Sequence, residues 1–91
     1  DASHANSRKI PARQRDVIRD IGSQVARGSR SIFGIMIESN LVEGRQDVVA
    51  GQSLTYGQSI TDPCINWEDT EILLNELAAA VRARRDTQQG R

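Results

Sequence analysis

Ser31-Ile-Phe-Gly-Ile-Met-Ile-Glu38 is a short apolar run that ends abruptly on a carboxylate. Both faces of an extended chain through Ile32–Ile37 would be apolar. That is the pattern of a strand buried in a parallel sheet and not of a half-exposed antiparallel one. The run is interrupted by Gly34 and is far too short to span a bilayer. Its neighbours decide what kind of sheet it joins. Upstream, Pro11 stands where a helix can begin, and Val17, Ile18, Ile21 and Val25 repeat at helical spacing. This predicts a helix over residues 11–27, with most of its arginines off the apolar stripe and Gly28 placed to stop it.

Downstream, residues 39–58 carry glycines at 44, 51 and 57 and no sustained periodicity, as expected of a long functional or irregular loop. Ser59-Ile-Thr61 is a weak strand signal ending at Asp62. Asn66–Asp69 resembles a helix cap, with Trp67 expected to pack as a staple beside it. A second helix is predicted over residues 67–85. Ile72, Leu73, Leu77 and Val81 form its stripe, widened by Leu74 and Ala78, and Arg82, Arg84 and Arg85 lie near its negative end. Residues 86–91 are expected to fray. The order strand end, helix, strand, loop, strand, helix is βαβα, the signature of an α/β architecture with a parallel sheet.

Composition narrows the functional classes. The 91 residues are 37% hydrophobic, with twelve basic and twelve acidic side chains. Balanced charge creates no field that would steer the chain to nucleic acid, and the arginines, with Arg8 and Lys9, read as a solvated face. Nothing at Asp1-Ala-Ser-His4 resembles a signal peptide, and the first ordered element is expected to start before residue 1. Cys64 is the sole cysteine, so no intrachain disulfide forms, which fits a reducing, cytoplasmic setting. Its bland reading is a small, half-buried hydrophobe.

Three polar residues stand out by position. His4 follows the truncated first element, Glu38 ends the apolar strand and Asp62 ends the short one. At neighbouring strand ends of a (β/α)₈ barrel such side chains converge on the active-site face. An imidazole and two carboxylates suit a divalent ion such as Mn²⁺, Fe²⁺ or Zn²⁺. The separations, 4 to 38 and 38 to 62, match no local metal motif. Strand-end residues of these types more often cap, turn or remain solvated.

Several blocks together carry a family resemblance. Ser3-His4-Ala5-Asn6-Ser7, Gly34-Ile-Met-Ile-Glu38-Ser-Asn40, Glu43-Gly44 and Tyr56-Gly57-Gln-Ser59-Ile-Thr-Asp62-Pro-Cys64-Ile-Asn-Trp67-Glu68 follow one another in order, then Ala78-Ala-Ala-Val81-Arg-Ala-Arg84-Arg85. In this the chain resembles the type I 3-deoxy-D-arabino-heptulosonate-7-phosphate (DAHP) synthases over nearly its whole length. The resemblance implies a C-terminal fragment, the last βα units, of a TIM (β/α)₈ barrel. It implies condensation of phosphoenolpyruvate with erythrose 4-phosphate, opening the shikimate pathway of aromatic amino-acid biosynthesis. It implies a divalent cofactor (Mn, Fe, Co or Zn) held by His4, Glu38 and Asp62, with a family Cys ligand and both phosphate clamps outside this chain. His4 and Asp62 would also serve catalysis, and the parent would be a homo-oligomer with neither nucleic-acid nor membrane partners. A related phosphoenolpyruvate–aldose phosphate synthase is the nearest alternative. Another is a non-catalytic piece that associates through exposed barrel surfaces.

Overall fold

The computed structural model describes residues 1–4 and 10–89, and helix side chains through residue 87. Arg8 and Lys9, the Ala5-Asn6-Ser7 block and the last two residues of the expected tail lie outside that set. Two helices, α1 (Pro11–Ala26) and α2 (Trp67–Gln89), pack against each other. Extended segments and a long loop lie between them. No helix among the described residues is long and apolar enough to cross a membrane.

α1 starts where Pro11 presets the first turn, with Ile10 at the cap position and no side-chain cap bond. Its end is a Schellman arrangement. The Gly28 N–H donates to the Val25 carbonyl (2.9 Å) and the Ser29 N–H to the Gln24 carbonyl (3.1 Å). Gly28 sits at φ +104°, a conformation that glycine adopts without a Cβ penalty. The buried side chains of α1 are Gln14, Ile18 and Val25. The stripe is therefore longer than its apolar members, because a glutamine continues it by one turn.

α2 is capped as expected, the Asp69 N–H donating to Asn66 Oδ1 at 2.9 Å. Its buried face differs from the predicted one. Thr70, Leu73 and Ala80 are buried, whereas Ile72 and Leu74 stay 51% and 47% exposed and Ala78 is exposed. The packing stripe runs 70, 73, 77 and 80, rotated away from the densest apolar positions. Trp67 at the start of α2 is half-exposed, at 48%. The helix also continues to Gln89, beyond the predicted end at residue 85. Arg84 consequently lies well inside the helix and does not cap its end. It donates to the Ser29 and Ile32 carbonyls at 3.2 and 2.8 Å, tying α2 to the segment after α1.

The expected strands at 31–37 and 59–61 do not form ladders. Among the described residues, pairing is confined to isolated bridges, Ser39 with Ile65, Gly44 with Cys64 and Arg45 with Ser59. A strand needs a neighbour on at least one edge to use its N–H and C=O groups, and among the described residues these two segments meet only isolated partners. The apolar run meets residues 1–4 through one bond, the Ala2 N–H reaching the Met36 carbonyl (2.9 Å). One face is covered, Ile35 and Ile37 packing on a core of Ala2, Ile18, Ile65 and Leu73. Phe33 is 98% and Met36 43% exposed, which corrects the expectation of a strand buried on both sides. The Cα radius of gyration is 15.9 Å, against about 12 Å for a compact domain of this length.

The long loop is ordered by its own polar groups. Gln46 Nε2 donates to the Thr55 and Gln58 carbonyls, and Gln46 Oε1 accepts the Thr55 N–H. Gly57, at φ +82°, lies so close to Leu41 that a Cβ there would sit 2.8 Å from the leucine Cβ. The chain doubles back at that point only because the residue is glycine.

Candidate metal centre

Three segments deliver one side chain each to a common point. His4 is held at φ +53°, an unusual backbone conformation for a residue with a side chain. Glu38 ends the extended apolar run. Its carbonyl accepts the Ile65 N–H (3.1 Å), which ties it to the segment that follows Asp62. His4 Nε2 lies 3.0 Å from Asp62 Oδ2 and 3.3 Å from Glu38 Oε2. One ligand atom from each of the three falls within 4.8 Å of the others.

This spacing suits a cation. Two donors that each sit about 2.1 Å from a divalent ion are roughly 3.0 Å apart at octahedral and 3.4 Å at tetrahedral angles. The imidazole–carboxylate separations fall in that interval. The donor set, one nitrogen and carboxylate oxygens, belongs to borderline and hard divalent ions. The His/Glu/Asp group could therefore hold a metal ion.

The opposite imidazole nitrogen is also engaged. His4 Nδ1 lies 3.0 Å from Asp1 Oδ2 and 3.0 Å from Ser3 Oγ. Asp1 Oδ1 in turn accepts the Ser3 N–H and hydroxyl, at 2.7 and 2.6 Å. Nε2 is itself within hydrogen-bond distance of Asp62 Oδ2, and in a metal-loaded site a carboxylate on Nδ1 would hold the proton there while Nε2 ligates. Sequence reading overlooked Asp1 and Ser3. Their only signal was proximity to His4 in the chain.

Arg15 was read as part of a solvated face, and the structure corrects this. Its guanidinium bridges Asp69 of α2 and Glu43 of the loop, the latter at 2.8 Å. The hydrogen bond to Asp69 is the main reason its pKa is raised, with both carboxylates adding favourable charge. Arg15 thus locks the loop and α2 onto α1. Tyr56, by contrast, is 88% exposed and contributes no wall to the site.

The family model described as the DAHP synthetase I family matches residues 1–75. This chain belongs to the DAHP synthetase I family. The curated relatives agree. The chain is 61% identical over 85 residues to the phospho-2-dehydro-3-deoxyheptonate aldolase of Haemophilus influenzae, covering 93% of this chain and 24% of that protein. It is 55% identical over 85 residues to the Phe-sensitive enzyme of Escherichia coli K12, with the same coverage of 93% and 24%. The solved phospho-2-dehydro-3-deoxyheptonate aldolase of Francisella tularensis superposes with a TM-score of 0.85 at 49% identity, over 91% of this chain and 24% of that one. The chain thus spans about a quarter of the length of the family members it matches. The backbone path of a family member is kept even where ladder hydrogen bonds are missing.

Cys64 lies beside the site, 8% exposed, and its thiol approaches the Asp62 carbonyl at 3.5 Å. Burial pushes its pKa up, and the charges of Glu38 and Asp62 push the same way, against a lowering hydrogen bond from Ser59. The thiolate fraction near neutrality is therefore smaller than for a free thiol. Alkylation by iodoacetamide at pH 8 should run on the order of tenfold slower in the folded chain than in urea. Equal rates in the two conditions would contradict the burial argument. The linkage has a definite sign. A raised folded pKa favours the neutral thiol, so its contribution to stability is intact below the ordinary thiol range and is lost as pH rises through the folded value.

Proposed function

We propose that His4, Glu38 and Asp62 are three ligands of the divalent metal centre in an enzyme that condenses phosphoenolpyruvate with erythrose 4-phosphate, forming DAHP and releasing phosphate. The observation that carries this reading is the convergence of the three ligand atoms within 4.8 Å, from positions far apart in the chain. Family membership supports the reaction class, because the printed names of the relatives are those of DAHP aldolases. In this reading residues 1–91 are the last βα units of a TIM barrel, and a cysteine elsewhere in the polypeptide completes the ligand set.

When bound, the ion (Mn²⁺, Fe²⁺, Co²⁺ or Zn²⁺) supplies Lewis-acid polarisation of the sugar-phosphate aldehyde. The chain's own side chains do the positioning. His4 ligates through Nε2 while Asp1 holds Nδ1. Glu38 is chiefly a ligand, its side chain 20% exposed against 49% for Asp62. The half-exposed Asp62 carboxylate can also accept a hydrogen bond from a sugar-phosphate hydroxyl. The test is phosphate release by the full-length polypeptide that carries this segment, chelator-treated and then reloaded with Mn²⁺. Release that needs metal and both substrates supports the reading. Turnover indifferent to metal, or to erythrose 4-phosphate, rejects it; the latter would favour a different aldose phosphate.

A second reading concerns the 91 residues in isolation, as a non-catalytic piece that associates. Exposed apolar side chains at Phe33, Met36, Leu41, Val48 and Ile60 favour it. Sedimentation of the isolated chain should show mass rising with concentration. A monomer across the whole range would exclude this.

A further inference from the structure

We infer that Gln14 is a positioning residue for the metal centre, acting through the backbone of Glu38; the inference rests on the metal-centre reading above. Gln14 lies on the buried stripe of α1 and is 1% exposed, a polar side chain among the most deeply buried in the molecule. Both ends of its amide bond the backbone of one residue. Gln14 Nε2 donates to the Glu38 carbonyl at 3.0 Å, and Gln14 Oε1 accepts the Glu38 N–H at 2.9 Å.

A primary amide does both at once. The Glu38 N–H needs an acceptor and the Glu38 carbonyl needs a donor, so the orientation of the amide is set by its partners. An ionised glutamate at position 14 would offer two acceptors, and a leucine would offer nothing. The paired bonds copy what a neighbouring strand supplies in a ladder. They act at the residue where the apolar run ends and the carboxylate begins. Together with the Ile65 N–H, which also reaches the Glu38 carbonyl (3.1 Å), they hold Glu38 between α1 and the segment after Asp62. The Glu38 side chain starts from that fixed point and ends 3.3 Å from His4 Nε2. α1 is thereby coupled to the metal site without touching it.

The test is a double-mutant cycle for Mn²⁺ affinity, in the polypeptide at its full encoded length, read by electron paramagnetic resonance of free Mn²⁺. Gln14→Leu and the near-isosteric Gln14→Glu are each made with Glu38 intact and with Glu38→Ala. With Glu38 present, both variants should weaken Mn²⁺ binding roughly 10- to 100-fold, as loss of outer-shell support does. With Glu38→Ala, the further change should be under about twofold, because the route from Gln14 to the ion no longer exists. Hydrogen exchange over residues 36–40, followed by mass spectrometry, should speed up in both Gln14 variants. Equal factors in the two backgrounds would show a general structural role and overturn the inference, as would unchanged affinity with Glu38 intact. Failure of the unsubstituted protein to bind Mn²⁺ would overturn the metal-centre reading and this inference with it.

Discussion

Glu38→Ala is expected to weaken Mn²⁺ binding by about a hundredfold or more, a larger factor than outer-shell changes produce. The substitution removes a charged oxygen donor whose backbone is held on both polar groups, by Gln14 and by Ile65. An anchored ligand loses little freedom on coordinating the ion, so its removal forfeits most of its Coulomb contribution. Asp62→Ala should act in the same direction and His4→Ala likewise, since each supplies one of three converging atoms. Glu43→Ala is the control. That carboxylate pairs with Arg15 on the loop and is outside the ligand group, so metal affinity should hold within about twofold. Calorimetric titration with Mn²⁺, alongside circular dichroism to confirm the helices, decides the matter. Similar losses in Glu38→Ala and Glu43→Ala would point to diffuse electrostatics and away from a built site.

Leu73→Ala is expected to be the most damaging single truncation for the fold. Leu73 is fully buried, in a core whose other buried members are Ala2, Ile18 and Ile65. Deleting its branched end removes about 2–5 kcal/mol through lost burial and the cavity left behind. A chain of this size is held by roughly 0.05–0.15 kcal/mol per residue. An extended shape with exposed apolar side chains belongs at the low end of that range. The loss is thus comparable with the whole net stability. Leu74→Ala next door gives the contrast, because Leu74 is 47% exposed at the edge of the stripe. It should change stability by no more than about 0.5 kcal/mol. Urea titrations of both variants measure the difference. Matching midpoints would mean that the α1–α2 seam does not run through residue 73.

The two helices were legible because their signals are local. Pro11 and Gly28 bracket α1, and Asn66 caps α2. The face of α2 was harder. Ile72, Leu73 and Leu74 are all apolar, and periodicity cannot say which one meets α1. The packing partner selects Leu73 and brings Thr70 and Ala80 with it. Gln14 shows the converse. A polar residue at the helical repeat of Ile18 and Val25 was invisible to an apolar count, yet it is buried and doubly bonded. The strands failed for a different reason. The apolar pattern specifies an extended chain, but ladder bonds need a neighbour, and pairing among the described residues is confined to isolated bridges.

Glu38 and its companions mark the division between local and tertiary information. Taken alone, the sequence determined that an apolar run ends in a carboxylate, that helices flank it, and that linked blocks resemble one synthase family. Those are properties of neighbours along the chain and need no folded context. Only the tertiary structure decided that His4, Glu38 and Asp62 meet at one point, that Asp1 holds the far side of the imidazole, and that Gln14 grips Glu38. Convergence of residues so far apart goes with contacts between the segments that carry them, the Ala2 N–H on the Met36 carbonyl and the Ile65 N–H on the Glu38 carbonyl. No spacing in the sequence encodes that distance.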